Sequence, residues 1–370
     1  MMADLSIEVL GLKYPNPFVL GSGPPGTNSK VIKRSFSLGW GGIVCKTISL
    51  DNSKVHNLVP RYGKLLWRNS TNKKDVVGYQ NIELISDRPF DVWLDDLADC
   101  KQEHPDNILI ASIMEEYGKG AWQEIVERTQ ATGVDALELN LSCPHGLPER
   151  KMGAAMGENP AIVREVVSWV MEVAKVPVYA KLTPNITDPR AAALAAMDGG
   201  ADGLSAINTI LCIIGINLET LRPMPTVEGH SEPGGYSGVA VRPIALRHVM
   251  EIARACPDAI ISGMGGVDTA EDAIQFLLVG SHTVQVCTGA MLQGYEMIEG
   301  LCQGLAAFME KHEFANVSDI VGKSLPYFTT HADLVAGQRA AKRERAGQAN
   351  RDEMWKGDIA SEADSLVSDQ

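Results

Sequence analysis

Residues 18–26 read FVLGSGPPG, an apolar run that breaks into glycines and prolines, and two α/β folds compete for it. Gly21-Ser22-Gly23-Pro24-Pro25-Gly26 fits G-x-G-x-x-G. That pattern marks a dinucleotide-binding turn only when a strand precedes it, a helix follows, and an acid sits about 20 residues on. The next apolar run, GGIVCKTISL at 41–50, ends in Lys46 and Thr47, and the first acid, Asp51, arrives after the run has closed. Pro24 and Pro25 also remove N–H groups that a pyrophosphate would use. The Rossmann reading therefore fails, and the stretch reads as the first member of a longer series.

That series sets the fold. Short apolar runs occur at 18–22, 42–46, 108–114, 136–142, 176–182, 203–208, 259–265 and 283–289. Amphipathic stretches such as 122–133, 161–175, 188–200 and 269–280 lie between them. Thr269 followed by Glu271 and Asp272 marks a helix start, and Gly133, Gly200 and Gly280 mark helix ends. Eight buried strands alternating with helices predict an α/β fold, a (β/α)8 TIM barrel rather than an open doubly wound sheet. The opening segment, SIEVLGLKYPNP, reads as an N-terminal hairpin that plugs the barrel floor. Long insertions follow strand two (48–107) and strand six (Asn208 to about Val241), and loops of this length in a compact domain are usually functional. The expected organisation is a barrel over 1–315 and a partly helical or flexible C-terminal extension over 316–370. The basic residues Arg339, Lys342, Arg343 and Arg345 of that extension read as a solvated helix face, with docking of a second subunit as the alternative.

Composition narrows the function. The chain has 370 residues, 45% of them hydrophobic, enough for a sizeable core. A formal net charge of −13 argues against nucleic-acid and anionic-membrane partners, and no apolar run approaches the ~20 residues of a membrane span. The N-terminus, MMADLSIEV, shows no leader pattern, which predicts a cytoplasmic chain, or a plastid one if a transit segment has been removed. Seven cysteines without any C-x-x-C leave no local ligand set for zinc or an iron–sulfur cluster, and fit reduced thiols.

In a barrel, chemistry sits at the C-terminal ends of the strands. There this sequence places Ser22, Lys46, Thr47, Asn140, Ser142, Cys143, Lys181, Thr183, Asn208, Thr209, Gly265, Gly266, Cys287 and Thr288. One strand-end lysine is commonly a snorkelling surface residue, but two lysines with two asparagines describe a polar mouth. The densest signal is ELNLSCPHG at 138–146: a thiol three residues past Asn140, on a loop turned by Pro144 and Gly146. Its neighbours Ser142, His145, Glu149 and Arg150 are polar, so a proton-transferring thiol fits better than a core cysteine. Cys143 and His145 have no further ligands at suitable spacing, so no metal is expected.

NLSCPHG, together with KLTPNITD (181–188), AINT (206–209), GGYSG (234–238), VRPIAL (241–246), GGVDTAEDA (265–273) and QVCTG (285–289), resembles the flavin- and pyrimidine-binding domain of the dihydropyrimidine dehydrogenases, within the wider dihydroorotate dehydrogenase family. The similarity runs from about Ile7 to about His312 and is nearest the short plant-type form. It implies FMN-dependent reduction of uracil or thymine to 5,6-dihydropyrimidine, the first step of pyrimidine catabolism, with hydride going from flavin N5 to C6 and a proton from Cys143 to C5. Ser22, Lys46, Thr47, Lys181, Gly238, Gly265, Gly266, Cys287 and Thr288 match cofactor-binding positions. Asn81, Glu83, Asn140, Leu141, Ser142, Asn208 and Thr209 match substrate-binding positions. The acidic Glu83, and His145-Gly146 where orotate enzymes usually have Asn after Cys-Pro, depart from the orotate pattern and favour a neutral pyrimidine. The resemblance implies NADPH as ultimate electron donor, reaching the flavin directly or through an electron-transfer partner protein, and a homodimer. Dihydroorotate dehydrogenase activity, or a flavin subunit active only with its donor partner, are the alternatives.

Overall fold

Eight parallel strands form from the eight apolar runs: Phe18–Leu20 (β1), Gly42–Val44 (β2), Ile108–Ile113 (β3), Ala136–Asn140 (β4), Val178–Lys181 (β5), Gly203–Ala206 (β6), Ile260–Met264 (β7) and Thr283–Val286 (β8). Each pairs with the next, and β8 returns to β1 with Gln285 opposite Val19, so the barrel closes in sequence order. Nearly every strand residue is buried, as expected for a parallel sheet covered on its outer face and packed within. Asn140 and Lys181 are the last residues of their strands, whereas Ser22, Lys46, Thr47, Asn208, Gly265 and Cys287 lie just past theirs. The computed structural model describes residues 4–67, 75–143 and 152–344. Pro144, His145, Gly146, Glu149, Arg150 and Arg345 lie outside the described residues.

Helices fill the connections at Ser29–Ser37, Phe90–Glu103, Lys119–Gln130, Pro160–Met171, Pro189–Asp198, Arg242–Ala255, Ala270–Leu278 and Met297–Lys311. Their buried residues recur at helical spacing, for example Trp122, Ile125, Val126 and Thr129. Thr269 caps its helix in a reciprocal box with Asp272, satisfying N–H groups that the helix itself cannot.

At the N-terminal end of the barrel, Ile7–Val9 pairs antiparallel with Leu12–Tyr14. Tyr14, 1% exposed, lies against Gly42 at the start of β2, which makes the hairpin a floor plug. At the opposite end the two long insertions build one structure. Tyr62–Leu66 and Val76–Asn81, from the connection after β2, join Ile210–Cys212 and Gly234–Ser237, from the connection after β6, in a four-stranded antiparallel sheet. Residues 316–325 pack with the barrel: Val317 and Ile320 are buried, and Gly322 and Ser324 donate to the carbonyls of Leu277 and Leu278. The compact units divide after Leu325. In the second unit, the helix His331–Glu344 is capped by Thr330 and Asp333.

Candidate active site

Where the strand ends meet the insertion sheet, a single cleft of about 1280 Å³, open mouth included, is lined by residues from seven strand ends and both insertions.

Two buried lysines stand in it, each held by a carboxylate. Lys46, just past β2, reaches Glu83 Oε2 at 2.7 Å. Glu83 also accepts from Arg61 at 2.8 Å and from the Tyr62 hydroxyl at 2.7 Å. Burial pushes the Glu83 carboxyl up, but Lys46, Tyr62 and Arg61 outweigh it and hold the group below its ordinary range. The same burial and the facing Glu83 raise the Tyr62 hydroxyl, which therefore stays protonated as a donor. Lys181, the last residue of β5, is 3.1 Å from Glu138 Oε1 on β4. Glu138 is 1% exposed, and a charge that deep requires a partner of opposite sign.

Between the lysines runs a chain of amides and hydroxyls. Thr47 Oγ1 meets Ser112 at 2.8 Å and accepts from Asn140 Nδ2 at 3.0 Å. Asn140 Oδ1 accepts from the Ser142 N–H at 3.2 Å and its hydroxyl at 3.1 Å. Asn208 donates to Ser142 at 2.8 Å, and Thr209 N–H returns to Asn208 Oδ1 at 2.7 Å. These bonds fix the rotamers of Asn140 and Asn208 on the cleft wall. Asn81 is fixed separately, donating to the Gly235 carbonyl at 3.1 Å. Cys143 lines the same cleft, packed among Ile85, Met114 and Met152. Its carbonyl accepts from Ala154 N–H at 2.9 Å, so the backbone carrying the thiol is anchored.

The side of the cleft formed after β7 and β8 is backbone. Gly265 and Gly266 have φ of +132° and +74°, conformations that side chains rarely adopt. A Cβ on Gly266 would lie 2.8 Å from the Gly238 carbonyl and 2.9 Å from the Arg242 nitrogen. The loop after β7 thus passes the start of Arg242–Ala255 at a distance that leaves no room for a side chain, and in barrels the loops after strands seven and eight frequently hold phosphate. Thr288 donates to Ser237 at 2.8 Å, tying the loop after β8 to the insertion sheet. Burial pushes the Cys287 thiol up to about 11 against the pull of Lys181 and Lys46, so it lines the cleft as a neutral thiol. Glycine-lined loops and two fixed cations on one cleft suit an anionic cofactor.

Of the positions expected from sequence, Ser22, Lys46, Thr47, Asn81, Glu83, Asn140, Cys143, Lys181, Asn208, Thr209, Gly238, Gly265, Gly266, Cys287 and Thr288 line this one cleft. Leu141 and Ser142 do not line it: both are fully buried, and Ser142 acts on the cleft through Asn140 and Asn208. Sequence reading missed Arg61, Tyr62, Tyr79 and Tyr236, whose place depends on how the insertions pair. It also missed Glu138 and Gln285. A signal existed for Glu138, since an acid inside the apolar run ALELN must find a buried partner.

Residues 4–309 match the family described as Dihydroorotate dehydrogenase. The chain is 53% identical over 375 residues to Dihydropyrimidine dehydrogenase (NADP(+)), chloroplastic, of Arabidopsis thaliana, covering 99% of this chain and 88% of that protein. It is 40% identical to the NAD-dependent dihydropyrimidine dehydrogenase subunit PreA of Escherichia coli K12, covering 86% of this chain and 76% of that one. To the Dihydroorotate dehydrogenase B (NAD(+)) catalytic subunit of Pyrococcus abyssi it is 34% identical, covering 87% and 99%. The solved structure of DHODH from Eimeria tenella in complex with ferulenol superposes with a TM-score of 0.72 at 20% identity, over 87% of this chain and 88% of that one, a likeness of fold.

Proposed function

This chain belongs to the dihydroorotate dehydrogenase family, and from that premise we propose that it is a dihydropyrimidine dehydrogenase, an FMN-dependent oxidoreductase that reduces uracil or thymine to the 5,6-dihydropyrimidine with NADPH as ultimate electron donor. The observation that carries the reading is the meeting, in one cleft, of the Cys143 thiol, the amides of Asn81, Asn140 and Asn208, and the paired lysines Lys46 and Lys181. FMN held in that cleft would supply the hydride for C6 of the pyrimidine.

The chain's own residues do the rest. Cys143 gives a proton to C5 as general acid, and takes it back in the reverse direction. The carboxamides of Asn140, Asn208 and Asn81 offer donors and acceptors to the alternating C=O and N–H groups of a planar pyrimidine, and being held already they lose little freedom on binding. Lys46 and Lys181 set fixed positive charge where negative charge collects as the ring system gains electrons.

Glu83 is not a lone negative charge facing the substrate, because Lys46 and Arg61 neutralise it. The case for a neutral pyrimidine over a carboxylated one therefore rests on the amide wall and on the two relatives named dihydropyrimidine dehydrogenase, at 53% and 40% identity. Purified chain supplied with FMN is expected to oxidise NADPH when uracil is added and to ignore orotate. Turnover of dihydroorotate faster than of dihydrouracil would overturn the substrate assignment. NADPH oxidation restored only by an added flavoprotein would move the electron entry to a partner.

A further inference from the structure

Two asparagines that do not line the cleft each take hold of a loop that does. Asn57, in the insertion after β2, donates from Nδ2 to the Ile85 carbonyl at 3.0 Å, and its Oδ1 accepts from the Leu84 N–H at 2.9 Å. Asn185, in the loop after β5, donates from Nδ2 to the Thr209 carbonyl at 3.3 Å, and its Oδ1 accepts from the Leu211 N–H at 2.8 Å. Each carboxamide thus meets a backbone C=O and a backbone N–H close together in sequence, as a neighbouring strand would. Both segments lack such a neighbour. Leu84 and Ile85 belong to no strand, and Ile210–Cys212 is an edge of the insertion sheet. An amide side chain suits the place because it carries a donor and an acceptor side by side.

The clamped loops are the ones that face the pyrimidine. The first carries Glu83 and Ile85, the second Asn208 and Thr209, and all four line the cleft. They converge at one glycine: a Cβ on Gly235 would lie 2.1 Å from Thr209 Oγ1 and 3.1 Å from Asn81 Nδ2. Gly265, Gly266 and Thr288, on the cofactor side, belong to the loops after β7 and β8. A loop without strand partners must be ordered before it can bind, and ordering a residue costs ~1–2 kcal/mol. Clamps already closed in the folded chain remove that cost from the binding step.

We propose that Asn57 and Asn185 are positioning residues that hold loops 83–85 and 208–211 in the pyrimidine-binding conformation before substrate arrives. The inference rests on the reading of the cleft as a pyrimidine site and extends it to two residues that do not touch the pyrimidine.

Its test separates the two ligands. Deflavinated full-length chain is titrated with FMN by fluorescence quenching. The oxidised, FMN-loaded chain is then titrated with uracil, without NADPH, and binding is read from the flavin's visible absorbance. N57A and N185A are each expected to raise the uracil dissociation constant about tenfold, the scale of one hydrogen bond, and to leave that of FMN within about twofold. N57D and N185D keep the acceptor for the N–H but set a carboxylate against the carbonyl, so they should recover none of the loss. Wild-type chain that binds both ligands, with alanine variants that bind uracil within about twofold as tightly, overturns this inference alone. Variants that lose FMN by the same factor as uracil also overturn it, because the amides would then support the barrel as a whole. Aspartate variants of wild-type strength overturn the two-sided clamp, since the acceptor alone would suffice. Wild-type chain that binds FMN and ignores uracil overturns the functional reading and this inference with it.

Discussion

Cys143→Ala is expected to keep its flavin and lose its reaction with uracil. The thiol sits among Ile85, Met114 and Met152, and its backbone is anchored through Ala154, so removing one sulfur leaves the loop and the cofactor wall standing. What disappears is the proton for C5. Positioned general acids contribute ~10²–10⁴-fold, and the oxidative half-reaction should slow by about that factor. Cys143→Ser is expected to recover little, since a hydroxyl is a far weaker acid than a thiol. Following the two half-reactions separately by flavin absorbance isolates the effect: reduction of the flavin should be unchanged, and its reoxidation by uracil should collapse. An unchanged reoxidation rate would show that another group delivers the proton.

Glu83→Ala carries the largest expected loss of stability. The substitution strands Lys46 and takes the acceptor from Tyr62. Lys46 and Glu83 side chains are 10% and 8% exposed, so the pair is a buried one, and removing one member of a buried pair costs about 3–5 kcal/mol. For a chain of this size that corresponds to a melting temperature lower by on the order of 4–7 °C. The pH dependence has a definite sign. The folded Glu83 carboxyl titrates below its ordinary 4.5, so its stabilisation is complete above that value and is lost as pH falls through the folded value. Melting curves of wild type and Glu83→Gln should therefore differ most near neutral pH and converge in acid. Parallel curves down to low pH would mean that the Glu83 contacts contribute no net stability.

Much of this was legible in the sequence because a parallel barrel writes itself plainly. Its strands are buried on both faces, so each appears as a short apolar run, and its chemistry follows as a polar residue at the run's end. Lys46, Asn140, Lys181 and Asn208 were found that way. The run FVLGS could be told from a dinucleotide turn because its successor ends in Lys46 and Thr47 where an acid was needed. In the structure Pro24–Gly26 is a tight 3-10 turn after β1, and Gly26 passes within contact of the Val44 carbonyl. The insertions were legible only as long polar segments. Tyr79 stands opposite Ser237, and Asn81 opposite Gly235, pairings more than 150 residues apart that no local periodicity encodes. Arg61 and Tyr62 were missed for that reason, and with them the partners that neutralise Glu83. Gln285 was hidden differently. Within TVQV it reads as a lone polar residue of an alternating strand, and only barrel closure brings it to Glu138.

The most direct measurement is anaerobic mixing of the photoreduced, FMN-loaded chain with uracil, following the flavin's visible absorbance. The account predicts rapid return of the oxidised spectrum with uracil or thymine, and none with orotate. Reduced flavin that persists with uracil and reoxidises with orotate would contradict it.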